Sequence, residues 1–460
     1  MKVLRTLDRQ RQRSVFVLFA SGLLFWSSMA SLLPTLPLYV ESVGGTQQQV
    51  GLVMGAFAIG LLASRTRLGQ LADRRSRQLV LLIGVGVGAI APLGYLFVKS
   101  IPLLIALRDF HGISIAAFTT AYSALVADIS PPDRRGELIG YMSLVTPVGV
   151  AIGPAMGGFV QAAWGYSPLF LMASGLSALS LIGSLQVWEP PKSPDLRPLQ
   201  ASASPPDLRV SGMALIVESV FAGLAIGIGW YFAFDASLGL AAFMMLQGGI
   251  VYSFLRQIFS SSDRLRIPAM VMLIVGTIFG SISTFMPLFI RASGIDFNPG
   301  WFYTAAALSS FTMRLIAGRA SDRLGRGLFI SIGLVCYGVA MTILATSQSS
   351  TAFLLAGSIE GAAAGITIPI VVALMSDRST PEERGRIFSL CIGGFDLGIA
   401  IAGPVFGAMA PEIGLRNIFA IAAALAIFAL AIFVRFNSKD LSHSLRFALG
   451  RGRDVYAIER

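Results

Sequence analysis

The chain has 460 residues, of which 55% are hydrophobic and 13% charged, with a mean hydropathy of +0.73. Soluble domains carry roughly 25% charged residues, so a water-soluble globular enzyme is excluded as the ordinary reading. The net charge of +11 does not signal nucleic acid, because Arg and Lys stand in short clusters between apolar runs, where they set membrane orientation.

Only helices and closed barrels satisfy their backbone groups inside lipid, and the apolar runs here are continuous rather than alternating, so helices are expected. In chain order they fall near residues 15–40, 48–64, 78–98, 101–126, 138–162 and 167–188. A Pro-, Ser- and charge-rich linker follows over 189–212, then two further apolar segments near 213–234 and 236–257. Six more lie near 267–290, 299–317, 327–346, 351–375, 386–410 and 414–435, which makes fourteen, or twelve if 213–257 is a peripheral hairpin. The predicted architecture is an all-α membrane protein with an N-terminal six-helix bundle over 1–188, an inserted helix pair over 213–257, a C-terminal six-helix bundle over 258–435 and a basic tail over 436–460. The basic start of the chain imitates a signal peptide, but the apolar stretch runs on too far, so a retained first helix is expected. The tail is expected to be disordered and solvated, with an anionic membrane surface as the alternative.

Thirty-one of the 35 basic residues fall at the two ends and in alternate loops, which predicts that both termini are cytoplasmic. Cys336 and Cys391 lie inside apolar runs, and with His111 and His443 as the only histidines no metal site or cofactor is expected.

A single offset of 249 positions carries Arg65, Gly69, Asp73, Arg74 and Arg77 onto Arg314, Gly318, Asp322, Arg323 and Arg326. It also carries Asp128, Pro132, Arg135 and Gly136 onto Asp377, Pro381, Arg384 and Gly385, Gly112 onto Gly361, and Gly149 onto Gly398. Two similar halves are implied, with a pair inserted between them so that both basic loops stay on one side.

The stretch from Gly69 to Arg77 and its copy from Gly318 to Arg326 resemble the signature loop of the major facilitator superfamily, except that Ser76 stands where the family usually has glycine, which the copy keeps as Gly325. The resemblance implies two pseudo-symmetric six-helix bundles with a central cavity lined by the first, fourth, seventh and tenth core helices. It implies that the loops latch the halves in one conformation. Gly69 would let helices approach closely, and Asp73 would sit at membrane depth near arginines, with the start of the eleventh core helix near Arg384 as its partner. Gly149, Gly153, Pro154, Gly157 and Gly158 resemble the G-x-x-x-G-P-x-x-G-G signature of drug–proton antiporters. Gly398, Gly403, Pro404 and Gly407 form a looser copy, and the inserted pair resembles the fourteen-helix branch of such exporters.

Arg108, Asp109, His111 and Gly112 resemble the R-x-x-Q-G motif implicated in proton coupling, with His111 in place of the glutamine. Intramembrane charges are expensive and tend to be functional. The repeat maps His111 onto Glu360, and the resemblance implies that the two approach one another across the cavity. A structural ion pair or well-solvated side chains are the alternatives. Asp396 is a further candidate for carrying protons or a cationic solute, with packing against a hydroxyl equally open. Glu218 in the inserted pair is weaker. Trp26, Tyr122 and Phe285 could contact a solute, although most membrane aromatics pack or face lipid. Pro34, Pro37 and Pro287 are read as bends at an outer gate.

The function expected is proton-driven export of small amphipathic molecules by a monomer in a bacterial plasma membrane, its partners being solute, protons and lipid. The alternatives are a sugar or metabolite carrier without antiport and, from another class, a transporter-like sensor or scaffold. No nucleophile motif or nucleotide-binding loop suggests an enzyme.

Overall fold

The computed structural model describes residues 7–131, 134–190, 236–380, 383–452 and 454–458, which are all-helical or connecting, with no strand among them. In chain order the helices are α1 (Arg9–Ser31), α2 (Leu36–Ser42), α3 (Gln47–Arg74), α4 (Arg77–Phe97), α5 (Ile101–Ile129), α6 (Arg135–Met142), α7 (Val145–Trp164) and α8 (Tyr166–Ser184). After the linker come α9 (Ala236–Phe259), α10 (Asp263–Ala292), α11 (Pro299–Leu324), α12 (Arg326–Thr346), α13 (Ser350–Asp377), α14 (Arg384–Ile413), α15 (Leu415–Phe436) and α16 (Leu441–Ala448). Among the described residues, eleven spans are long and apolar enough to cross a bilayer. The 26-residue α11, with Arg314 and several hydroxyls along it, is the more polar remaining core helix.

Chain chemistry marks the helix limits. Thr46 and Gln49 form a reciprocal capping box at the start of α3, and Ser349 accepts from the Ala352 amide at the start of α13. Gly165, Gly325 and Gly414 turn the chain between consecutive helices at positive φ, a conformation that costs glycine nothing. The first span is broken between α1 and α2 just where Pro34 and Pro37 lie, and the fifth is broken between α6 and α7 at Ser143 and Leu144.

The two halves repeat one another in packing. The α1–α7, α1–α8, α3–α5, α4–α5 and α4–α8 contacts of the first half reappear as α10–α14, α10–α15, α11–α13, α12–α13 and α12–α15 in the second. The offset glycines of the sequence lie at these crossings. A Cβ on Gly112 would stand 2.0 Å from the Phe57 carbonyl of α3, and one on Gly361 would stand 1.8 Å from the Ala306 carbonyl of α11. Gly149 meets α1 in the same way that Gly398 meets α10. Small residues permit such approach, and hydroxyls strengthen it in lipid. Ser28 donates to the Ala173 carbonyl at 2.6 Å, Ser177 to Ser28 at 2.9 Å and Ser180 to the Ser21 carbonyl at 2.7 Å, which stitches α1 to α8.

Three expectations are corrected. The signature stretches are not loops: Gly69 to Arg74 and Gly318 to Leu324 are the last turns of α3 and α11, because backbone bonding continues after hydropathy falls, as in the Arg75 amide donating to the Leu71 carbonyl at 2.8 Å. Ser76 does not need the family's glycine: at φ −156° it caps α4 through the Leu79 amide, whereas Gly325 turns at φ +99°. The tail is not a solvated coil over its described length, since α16 packs on α15 and α12. Of the inserted pair, α9 forms the expected second helix, beside α14, α10 and α3. The first helix, with Glu218, lies outside the described residues, as do residues 191–212 of the linker.

Candidate functional site

The halves meet along two helix pairs, α3 with α14 and α7 with α11. Both junctions are tightest at the end opposite the arginine-rich turns at 74–77 and 323–326, here termed the basic end. In the first, a Cβ on Gly51 would lie 2.0 Å from the Gly403 carbonyl, and one on Gly55 would lie 2.8 Å from Pro404. In the second, a Cβ on Gly300 would lie 2.5 Å from the Pro154 carbonyl, Gly158 abuts the Asn298 side chain, and Thr304 donates to the Ala151 carbonyl at 2.9 Å. The antiporter-like helix therefore uses two faces. Gly149, Gly153 and Gly157 seat α7 on Trp26, Ser27 and Ser31 of α1, while Pro154 and Gly158 seat it on the other half. An ion pair between Arg291 and Glu41 adds a polar tie at the same end.

Glycines near the basic end make no such contacts. A Cβ on Gly69, four residues beyond Arg65 on the same face of α3, would meet nothing within 4 Å, and the same holds for Gly318 on α11 and for Gly136 and Gly140 on α6. The close approach expected at Gly69 is thus not made in this conformation. Asp73 and Arg74 are exposed, and the side chain of Arg384, the expected partner of Asp73, lies outside the described residues. In the signature turns Arg77 pairs with Asp128 at the end of α5, and Arg326 pairs with Asp377 at the end of α13 and, at 3.3 Å, with Asp322 of α11. Arg323 and Arg314 are exposed at the same end. Glu189 closes the first turn by accepting from the Arg77 amide at 2.8 Å and the Gln78 amide at 3.2 Å, with a bond from Ser76 as well. Negative charge at a helix start is favourable, and sequence reading stopped at Glu189 only as the first residue of a linker.

Between these ends lie the buried charges. The Arg108 guanidinium stacks over the Phe57 ring at 4.1 Å and stands 3.4 Å from Nδ1 of His111, which also meets the Tyr95 hydroxyl at 3.1 Å. Asp109 is buried on the α3 side, where a Cβ on Gly60 would strike its backbone carbonyl at 1.9 Å, and its Oδ1 has no hydrogen-bond partner. His111 and Glu360 are not brought together. His111 is fully buried among Phe57, Tyr95 and Arg108 of its own half, and α5 and α13 do not pack as a helix pair. Pseudo-symmetry relates the two positions, but each side chain turns into its own bundle. Glu360 is buried within electrostatic range of Tyr303 and Tyr337 from α11 and α12.

The charge that crosses between halves is Asp396, which pairs with Arg65 at 2.9 Å. The pair ties α3 to α14 one helical turn before Gly69. Sequence reading placed Arg65 in the latch and Asp396 among the coupling candidates but not with one another; Asp396 sits inside an otherwise apolar stretch, which was the available signal, whereas Arg65 opens a basic run.

Of the three aromatics, Trp26 is half-buried beside Gly149 and keeps some free surface. Tyr122 is buried, stacked on Phe118 at 5.0 Å and bonded to the Met142 carbonyl at 3.1 Å, so it supports the end of α6 rather than presenting a face to a solute. Phe285 is fully buried. No group of three His, Cys, Asp or Glu side chains that could hold a metal occurs among the described residues.

A family model described as Major Facilitator Superfamily matches residues 18–298 and 268–454. The Quinolone resistance protein NorA of Staphylococcus aureus is 28% identical over 180 residues, 39% of this chain and 46% of that protein, so the match spans about half the length of that relative. An uncharacterised MFS-type transporter of Methanocaldococcus jannaschii is 22% identical over 420 residues, 90% of this chain and 96% of that protein. Among solved structures, a POT family transporter in complex with 5-aminolevulinic acid superposes with a TM-score of 0.73 at 15% identity, covering 95% of this chain and 99% of that one. The nucleoside transporter NupG gives 0.68 at 13% identity, covering 91% and 100%. At such identities the likeness is one of fold. A chain matched along both halves, doubled in sequence and in packing, and built from membrane-length helices is a multi-pass membrane protein and belongs to the major facilitator superfamily.

Proposed function

We propose that the protein exports small amphipathic molecules in exchange for protons by alternating access. The observation that carries this reading is the contrast between the two ends: the two Gly-Pro helices, α7 and α14, press on the opposite half away from the basic end, whereas a Cβ on Gly69 or Gly318 would meet nothing within 4 Å. With the arginine-rich turns in the cytoplasm, as basic-residue bias directs, this conformation faces inward, open to solute from the cell. The protein then lies in a bacterial plasma membrane with both termini cytoplasmic and works as a monomer, its units being the bundles over 1–188 and 258–435, the linker over 189–212, the pair over 213–257 and the tail over 436–460.

Rocking would bring the halves together at Gly69 and Gly318, so that Asp73, Arg74, Arg77, Asp322, Arg323 and Arg326 engage the opposite half as a latch. Protons act on the buried groups. A proton on Asp396 removes the charge that holds Arg65, which weakens the tie of α3 to α14. Arg108, Asp109 and His111 in one half and Glu360 in the other supply further sites for protons or for a cationic solute, each buried within its own bundle. A proton bound from outside and a solute bound from inside favour opposite states, and exchange follows. The name of the staphylococcal relative, a quinolone resistance protein, supports drug-like solutes.

The test is transport of a fluorescent amphipathic cation in inverted vesicles with an imposed pH gradient. Uptake should follow the gradient and fall in Asp396→Asn, Glu360→Gln and His111→Gln. Uptake that ignores the gradient, or persists at the original rate in all three, refutes antiport and favours a metabolite carrier.

A further inference from the structure

The helix α16 has three faces with different surroundings. Ser444, Phe447 and Ala448 are buried against the bundle, where Phe447 lies on Gly327 at the start of α12 and Ser444 donates to the Phe433 carbonyl of α15 at 3.2 Å. Ser442, His443 and Arg446 are exposed on a second face. Leu441, Leu445 and Leu449 recur every four residues on the third, and each is about half exposed. An exposed apolar stripe beside a polar one is the pattern of a helix lying in a membrane surface.

Position supports this. The helix bridges the last residues of α15 and the first of α12, at the level where membrane-spanning helices leave the hydrocarbon. It is pinned there from behind: Asp454 takes both the Nε and the outer nitrogen of the fully buried Arg378, at 2.7 and 2.9 Å, and the Ile458 amide donates to the Asp377 carbonyl at 3.0 Å. Charge supports it too. Lys439, Arg446 and Arg451 are exposed, and no carboxylate pairs with any of them among the described residues. The acid nearest to hand, Asp440, is engaged with His443 at 2.7 Å.

We propose that α16 is an interfacial foot. Its leucine stripe enters the acyl boundary of the leaflet at the basic end, and Lys439, Arg446 and Arg451 meet the phosphates of anionic lipids. The inference rests on the membrane embedding of the chain and is independent of proton exchange.

The test uses full-length protein with Cys336→Ala and Cys391→Ala, an environment-sensitive fluorophore attached through Leu445→Cys, Leu441→Cys or, as the reference, His443→Cys, and reconstitution in phosphatidylcholine vesicles with or without phosphatidylglycerol. Nitroxide-labelled lipid should quench the labels at 445 and 441 several-fold more than the label at 443, and iodide should do the reverse. Phosphatidylglycerol should deepen the lipid quenching, and Arg446→Gln or Arg451→Gln should each reduce that anionic preference about fivefold. Labels at 441 and 445 as open to iodide as the one at 443 would overturn the proposal. So would shielding that follows the number of proteins per vesicle, since the stripe would then be covered by a second copy.

Discussion

Gly112→Ala tests the helix crossing that positions the buried charges. The new methyl would stand 2.0 Å from the Phe57 carbonyl oxygen, 2.9 Å from the Leu61 nitrogen and 3.0 Å from the Phe57 carbonyl carbon, all of them backbone atoms that no rotamer change can move. An ordinary carbon–oxygen contact is about 3.3–3.6 Å, so α5 must retreat from α3 by more than ~1 Å. Overpacking of that kind costs about 1–3 kcal/mol. The same retreat pulls Arg108 from the Phe57 ring, now 4.1 Å away, and a desolvated cation–π contact is worth up to about 2 kcal/mol. A total of ~2–4 kcal/mol should lower the apparent melting temperature by about 4–10 °C. The buried Cys391 provides the signal, since a thiol-reactive dye reaches it only as the bundle opens. Gly69→Ala and Gly318→Ala are the controls: a methyl at either position meets no neighbour within 4 Å and should leave melting within about 0.5 kcal/mol of the parent. If Gly112→Ala melts with the parent, or Gly69→Ala falls as far, the packing argument is wrong.

Asp454→Asn should destabilise the second half by about 3–5 kcal/mol, because it leaves the buried Arg378 guanidinium without its carboxylate, and Arg378→Met with Asp454→Leu should recover most of that loss in the same melting assay. Ser76→Ala should cost about 1 kcal/mol through the lost cap, read as faster amide exchange at Leu79. Asp440 is held below the ordinary carboxylate value of 3.8, chiefly by the His443 amide and then by its ring. Its cap therefore stabilises α16 above that value and is lost as pH falls through and below it; exchange protection at His443 should drop on acidification, and Asp440→Asn should remove the pH dependence.

Much of the fold was legible because hydropathy and a single offset are local or periodic signals. The offset singled out Gly112 with Gly361 and Gly149 with Gly398 before any packing was visible, and these four prove to be the points where backbones cross. The ends of α3 and α11 were not legible, since an apolar-run criterion stops at the hydrocarbon edge while the helix continues into water. Pairings across long separations were hidden as well. Nothing local marks Asp396 as the partner of Arg65, or Asp454, one of three acids in a basic tail, as the partner of Arg378. His111 and Glu360 show the limit of symmetry: it equates positions but does not say which way a side chain turns.

The seal away from the basic end is made of glycines set against carbonyls, Pro404 and the Asn298 side chain, with the solvent-exposed Glu41–Arg291 pair as its single ionic tie among the described residues. Prying it apart demands little electrostatic work, and that ionic tie is worth no more than about 1 kcal/mol. The outer joint thus behaves as a fitted hinge plate whose grip depends on shape, indifferent to salt and acidity. Any sensitivity of the cycle to pH is then expected away from this joint, at the buried Asp109, His111, Glu360 and Asp396.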